Sequence, residues 1–335
     1  MKYGYKSGLF SALGLTGVYS SYRRINQKKA LVLTYHGILP EIPSGGSEYE
    51  YRNFVTTRQF DQQIQFLLKN YRPLKAADFC HPDVDTSSGF LITFDDGFRN
   101  NYRYAVPILQ KYGIEGCFFI STGLIGTRDF LWTEEVTRLL NNTKQKELML
   151  GWADKLVLPL VTTTDRANAS QIIRKKLKLA PKAERDEAMA CLRSQLSDVP
   201  ADMLPDEEER YLFMTWDEVK GMVKAGQHIG AHTHTHSMLS TLSESESWEE
   251  LKLSKELLEK ATAQECFTMS YPNGESDNFS ELHKTQLKKL GYKCAFSQIP
   301  LFNNGQTDRF ALHRFNVSLG LPLSLMEAKL CGLLK

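Results

Sequence analysis

Short apolar runs recur along this chain, and each stops abruptly at polar or turn-forming residues. Ala30-Leu31-Val32-Leu33-Thr34-Tyr35 leads into His36-Gly37, and Gly89-Phe90-Leu91-Ile92 leads into Thr93-Phe94-Asp95-Asp96-Gly97. Ile114 to Ser121 is centred on Cys117-Phe118-Phe119-Ile120, and His228-Ile229-Gly230-Ala231 runs into a histidine-rich stretch. Phe267 to Ser270 and Tyr292 to Phe296 complete the series. Runs this short, bounded by turn residues, predict buried strands. Between them the spacing turns helical. Phe60, Ile64, Leu67 and Leu68 follow an i, i+4, i+7, i+8 pattern behind a cap at Thr57, and a segment from Pro107 to Tyr112 stops at Gly113. Thr215-Trp216-Asp217-Glu218 is a capping box opening a helix to Gly226. Trp248–Lys260 and Phe279–Leu290 predict two more helices. Strands alternating with helices predict a parallel sheet. With about seven such units, and polar motifs after the strands, the expectation is an α/β fold, a deformed (β/α) barrel rather than an open sheet.

Residues 128 to 212 break this rhythm. They are charged and helical in pattern, with candidate helices over Glu134–Leu140, Asn168–Leu177 and Pro181–Leu196, and predict a helical insertion into a barrel spanning 30–335. Pro205 to Arg210 reads as an exposed charged stretch closing it, and Leu321 to Lys335 as a short amphipathic helix. Residues 1–29 form a separate N-terminal segment. Lys2 and Lys6 precede an apolar run from Gly8 to Tyr19, as in a weak secretory signal. The run is rich in Gly, Ser and Thr, lacks a small-x-small cleavage site and is short for a bilayer span. The preferred reading is a short helix, packed on the barrel or in peripheral contact with a membrane.

Composition narrows the class without naming a function. The 335 residues are 42% hydrophobic and 24% charged, ordinary for a globular enzyme, and the net charge of +2 gives no reason to expect a nucleic-acid partner. The six cysteines form no CxxC pair, and Cys117 and Cys294 fall inside apolar runs. They read as core residues in a reducing compartment, so the expected location is cytoplasmic or at the inner face of the membrane, with a secreted or signal-anchored form as the alternative.

Candidate chemistry sits at the strand ends. Adjacent carboxylates such as Asp95 and Asp96 repel each other unless something uses them. A metal ion is the common remedy, with one carboxylate as ligand and the other free as a base. The competing reading is a simple Asp-Asp-Gly turn. His232-Thr233-His234-Thr235-His236 holds three of the eight histidines. On a continuing strand all three would share a face. On a helical turn, His232 and His236 would meet at i and i+4. Asp96 would then complete a three-ligand site with an open position, suited to zinc or a similar divalent ion.

Thr93 to Gly97 together with His232-Thr233-x-x-His236 resembles the polysaccharide deacetylase family of metal-dependent N-deacetylases. Phe267-Thr268-Met269-Ser270-Tyr271-Pro272-Asn273-Gly274 looks like that family's strand-end Tyr-Pro motif, and the similarity runs from about Ala30 to Val317 around the insertion. The resemblance implies Asp96, His232 and His236 as ligands of a divalent metal, usually zinc. It also implies Asp95 as the general base and the Tyr271 backbone N–H as an oxyanion donor. His234 has no ligand role in this scheme. The substrate implied is an N-acetylated sugar, a glycan or its lipid- or nucleotide-linked precursor.

Two departures from the family pattern matter. The Tyr-Pro segment lacks the Arg that orients the base, and Arg314, in the strand-like stretch Asp308 to Val317, is the expected replacement. The family's late strand ending in Leu-x-His is also missing, while Leu31 to His36 has the same form at the start of the chain. First and last strands of a barrel are neighbours, so His36 is the expected general acid. His313 is the alternative; if its stretch is a strand, His313 and Arg314 face opposite ways. Two rival readings are an amidohydrolase-type enzyme using His234 and His236 as an HxH pair, and a carbohydrate-binding protein with a residual metal site.

Overall fold

The computed structural model describes residues 10, 16–43, 49–81, 83–152 and 155–334. Seven parallel strands make the main sheet: β1 (Leu31–Tyr35), β2 (Gly89–Phe94), β3 (Gly116–Ile120), β4 (His228–Ala231), β5 (Thr268–Ser270), β6 (Cys294–Phe296) and β7 (Phe315–Asn316). Their spatial order is β6-β5-β4-β3-β2-β1-β7, and the two-residue strand Arg72–Pro73 also pairs with β2. The residues leading into β7 close the ring. Leu312 bridges Phe296 of β6, and Phe315 pairs with Leu33 of β1. The fold is a deformed (β/α) barrel, and its first and last strands are neighbours.

Strand periodicity sorts the side chains into two cores. Leu31, Leu33, Tyr35, Phe90, Ile92, Phe94, Phe118, Ile120 and Met269 belong to the larger core, shared with the surrounding helices. The alternate residues, Val32, Leu91, Cys117, Phe119, Cys294, Phe296 and Leu312, fill the barrel lumen. There Phe119 meets Phe296 across non-adjacent strands, with ring centroids 5.3 Å apart. Each fully buried Phe or Leu contributes about 1.5–3 kcal/mol relative to exposure. Following the inward positions toward the carboxyl ends of the strands, side chains change from apolar to polar: Thr34, Thr93, Ser121 and Ser270 are all fully buried. His36, Asp95 and Arg314 continue the same parity. The lumen is thus greasy at one end and polar at the end where barrel sites form.

Most predicted elements occur with small shifts. The helix Thr57–Asn70 is capped one residue earlier than expected, by Thr56 with Gln59 completing a capping box. The Thr215 box opens the helix Trp216–Lys224 as anticipated. Helices also cover Glu244–Thr262, Glu281–Lys289 and Leu323–Leu330. The segment after β2 begins with a π-helical turn, Asn101–Ala105, ahead of the helix Val106–Lys111.

The interrupting stretch holds helices Trp132–Asn142, Thr163–Lys178, Lys182–Gln195 and Pro205–Tyr211, around a hydrophobic cluster of its own. Two features differ from expectation. Glu147–Leu150 and Leu156–Pro159 form an antiparallel hairpin that the charged pattern hid. Within Pro205 to Arg210, Glu207 and Arg210 are buried rather than exposed. Glu207 is buried against Arg138 at 2.7 Å, and the buried Arg210 pairs with Glu50. These charges hold the stretch to its neighbours. Of the N-terminal segment, Val18–Ile25 is helical. The remainder of the Gly8–Tyr19 reading lies largely outside the described residues. No helix among the described residues is long and apolar enough to cross a membrane.

His228, at the amino end of β4, gives a pH prediction. It is half-buried, its Nε2 lies 2.8 Å from Thr268 Oγ1, and burial pushes its imidazole down to about 4. The folded state therefore binds this proton less readily than the unfolded state, so stability rises with pH between the two values. The contribution is complete above about pH 6.5 and is lost as pH falls toward 4, up to ~3 kcal/mol. His228→Gln is expected to flatten this part of the stability–pH curve relative to wild type in urea titrations. Parallel curves for the two proteins would refute it.

Candidate active site

Asp95 is the inward residue immediately after β2, by the same parity as Leu91 and Thr93. Asp96 would face outward on a continuing strand. Its backbone instead adopts φ 78°, a left-handed conformation uncommon outside glycine, followed by Gly97 at φ 94°. The reversal turns both carboxylates to the same end of the barrel. A side chain at Gly97 would also meet Ile120 and Ile125 at 3.2 Å.

His232 follows β4 on the inward side. The stretch after it is neither strand nor helical turn. Thr233 (φ 60°) and His236 (φ 57°) are left-handed, and the loop doubles back. His232 and His236 Nε2 therefore lie 3.6 and 3.3 Å from Asp96 Oδ1, with imidazole centroids 4.9 Å apart. His234 points elsewhere, with Nδ1 2.9 Å from Thr122 Oγ1, so an HxH pairing of His234 with His236 has no geometric basis.

The three donor atoms of Asp96, His232 and His236 all lie within 4.8 Å of one another. His232 Nδ1 is 2.8 Å from the Ser270 carbonyl, which can only accept a hydrogen bond. That contact puts a proton on Nδ1 and turns Nε2 toward Asp96, where it donates to the carboxylate when protonated and offers its lone pair to a cation when not. Burial pushes the Asp96 carboxyl up, but hydrogen bonds from His232 and His236 and the nearby His36 charge hold it well below the usual range. One carboxylate and two imidazoles converging on one point fit a divalent cation with an open coordination side.

Asp95 is held by different groups. Arg314 is fully buried and donates to both carboxylate oxygens, NH1 to Oδ1 and NH2 to Oδ2, each at 2.7 Å. Arg314 also donates to Ser297 O at 2.8 Å, Ser270 Oγ at 2.6 Å and Thr93 Oγ1 at 3.1 Å. Gln298 Nε2 donates to Asp95 Oδ2 at 3.2 Å. Burial pushes the Asp95 carboxyl up, and the Arg314 charge, followed by that of His232, outweighs it and holds the group below its ordinary value. Asp95 is thus ionised and fixed in orientation, with no place among the converging donor atoms around Asp96.

Asp95, Asp96, His232, His236 and His36 line a single cavity of about 380 Å³. His36 Nδ1 is buried without a hydrogen-bond partner. His313 does not line this cavity. Its Nδ1 is 3.1 Å from Phe302 O, on the face opposite Arg314, as strand alternation requires.

The oxyanion role expected of the Tyr271 N–H is corrected by the sheet. That N–H donates to Phe296 O at 3.0 Å, so it is already committed. By parity the Tyr271 ring faces outward, stacked on Phe279 with centroids 4.0 Å apart, and its hydroxyl donates to Phe310 O. The cavity-lining residues of this loop are Asn273, at φ 62°, and Glu275. Sequence reasoning also missed Gln298, Arg52, Glu134 and Arg174, all in the cavity wall. None sits in a pattern that separates it from solvated surface residues.

A family model described as polysaccharide deacetylase matches residues 85–147 and 194–295, its gap falling inside the interrupting stretch. Over 305 residues the chain is 23% identical to "Putative polysaccharide deacetylase YxkH" of Bacillus subtilis (strain 168), covering 90% of this chain and 75% of that protein. Among solved structures, the Streptococcus pyogenes deacetylase PplD in complex with acetate superposes with a TM-score of 0.57 at 18% identity, over 89% of this chain and 96% of that one. IcaB from Ammonifex degensii gives 0.56 at 17%, over 90% and 97%. The structural likeness is one of fold.

Proposed function

From a chain that belongs to the polysaccharide deacetylase family, we propose a metal-dependent hydrolase that removes N-acetyl groups from a glycan or from its lipid- or nucleotide-linked precursor. The observation that carries the reading is the division of labour between adjacent carboxylates. Asp96 faces two imidazoles, and Asp95 is clamped apart from them by Arg314. In this reading Asp96, His232 and His236 hold the divalent ion, zinc being the expected one. When bound, the ion supplies a Lewis acid for the acetamide carbonyl.

The chain's own groups do the rest. Asp95, ionised and oriented, takes the proton of the attacking water. Arg314 fixes the direction of its lone pairs and keeps it deprotonated. His36 gives a proton to the departing amine, a task suited to imidazole near neutral pH. Its unpartnered Nδ1 and its place in the cavity support this assignment over His313, whose ring is turned away. Residues 128–212 act as the insertion that shapes the substrate groove, contributing Leu131, Thr133, Glu134 and Arg174 to the wall. The helix Val18–Ile25 is read as part of an N-terminal segment that packs on the barrel or rests on a membrane surface.

The test is acetate release from a panel of N-acetylated glycans, before and after metal stripping and reloading. Activity lost to a chelator and restored by zinc is the expected result; release indifferent to metal would overturn the metal role, and release from no substrate would return the chain to a binding role. In the same assay, metal-loaded His36→Ala is expected to lose ~10²–10⁴ of its rate on an acetamide. It should lose much less on an activated ester, whose leaving group needs no proton. A larger loss in His313→Ala would move the acid to that residue.

A further inference from the structure

One part of the cavity wall carries a positive charge that the mechanism does not use. Arg174, from the helix Thr163–Lys178, and Arg52 line the same cavity as Asp95, Asp96 and His36. Both guanidinium groups approach one aromatic ring, that of Tyr49, at 5.9 and 5.6 Å from its centroid. The ring is tethered by a hydrogen bond from Tyr49 Oη to Thr137 Oγ1. Arg52 is partnered: it donates to Glu134 Oε1 at 3.3 Å and to the Tyr49 carbonyl at 3.0 Å. Glu134 also accepts from Asn53 Nδ2. Arg174 has no such partner. Its Nε is buried without a hydrogen bond, and among the described residues it enters no ion pair.

The other carboxylates of the cavity are occupied. Asp95 is held by Arg314, Asp96 faces His232 and His236, and Glu275 pairs with Lys178. Glu134 is thus the one carboxylate left beside two guanidinium groups and it pairs with Arg52, so Arg174 is a surplus cation. Burial, and then the neighbouring Arg52 charge, work against the charged form of Arg174. An arrangement that is costly when empty becomes favourable when an anion enters. The guanidinium fork suits the paired oxygens of a phosphate or carboxylate.

We infer that Arg174 and Arg52, over the Tyr49 ring, form an anion subsite, and that the substrate is an N-acetylated glycan carrying a phosphate or carboxylate near the sugar that is deacetylated. This rests on the deacetylase reading above and narrows its substrate class. A neutral N-acetylglucosamine oligomer would leave the surplus charge unanswered.

The experiment uses the full, metal-loaded chain and three substrates: a neutral chitin tetrasaccharide, a hyaluronan tetrasaccharide bearing carboxylates, and an oligosaccharide of N-acetylglucosamine joined by phosphodiesters. The readout is the ratio of kcat/KM on each anionic substrate to that on the neutral one. In wild type at least one ratio is expected at ~10–100, the scale of a charge-assisted bidentate contact. Whichever anionic arm gains identifies phosphate or carboxylate as the source. The ratio should collapse toward one in Arg174→Ala, recover in part in Arg174→Lys, and fall with added salt in wild type. If Arg174→Ala does not fold, Arg174→Lys and the salt dependence decide. Calorimetric binding of N-acetylglucosamine 1-phosphate, weakened in Arg174→Ala, reads the subsite without turnover. Wild-type ratios near one on both arms, or ratios unmoved by the variant, would overturn the subsite and leave the deacetylase reading standing. Acetate released from none of the substrates, with phosphosugar binding still dependent on Arg174, would overturn the deacetylase reading and keep the subsite.

Discussion

Asp95→Asn is expected to keep its metal and lose ~10²–10⁴ of its turnover, the scale of a lost general base. The amide matches the carboxylate in shape but cannot accept a proton. It leaves Asp96, His232 and His236 untouched, so elemental analysis should find wild-type metal content. Selectivity is the core of this prediction. Asp95 and Asp96 are adjacent in sequence and both buried, yet their partners differ completely. Asp96→Asn, by contrast, should lower metal occupancy and activity together, because it weakens the charged ligand facing both imidazoles. Near-normal turnover in metal-loaded Asp95→Asn would falsify the role assigned to it.

Arg314→Met is expected to cost ~3–5 kcal/mol of stability, the usual result of removing one partner from a buried ion pair. Methionine fills much of the same volume, so the loss would report charge rather than packing. The sign with pH can be worked out. Asp95 is held below its ordinary value in the folded state, so its contribution to stability is present above the unfolded value near 4 and disappears as pH falls through the folded value. Without Arg314 that contribution is gone and burial alone acts, raising the carboxyl. The acidic limb of the kcat/KM profile should then move to higher pH, since only ionised Asp95 can act as base. Adding Asp95→Ala to Arg314→Met should recover part of the stability while leaving the protein inactive. Urea midpoints for the two single variants and the double variant, with pH–rate profiles of the active proteins, test this. A single Arg314→Met protein as stable as wild type would sink it.

The barrel, and the convergence of Asp96, His232 and His236, were legible because their signals are local. A buried strand announces itself by an apolar run, and a site at its carboxyl end by the polar residues that stop it. Alternation carried further: it indicated that His313 and Arg314 must part company, and in the structure Arg314 reaches Asp95 while His313 meets Phe302 O. What could not be read depends on distant partners. Glu207 and Arg210 look like solvated surface charges until Arg138 and Glu50 are brought to them. The hairpin Glu147–Leu150/Leu156–Pro159 has only one buried face, and its exposed Met149 and Val157 blur the alternation. The Tyr271 N–H could not be known as spent until β5 and β6 were paired. The path from His232 to His236 turns on two left-handed residues, neither of them glycine, and so carried no warning in the sequence.

Barrel closure also has a consequence in time. Asp95 and its guanidinium partner are 219 residues apart, and Arg314 arrives on the segment that closes the ring between β6 and β1. A ribosome emits the chain from its amino end, so β1 to β6 can emerge while the base still lacks its counter-ion. A lone carboxylate in that setting resists burial, and the polar end of the lumen has reason to stay open until the last strand docks. Pairing so distant in sequence is slow to form. In the proposed mechanism the base is therefore armed late, when residues 312–317 slot in. A ribosome-stalled chain ending before Arg314 should hold Asp96, His232 and His236 while Asp95 still lacks its counter-ion.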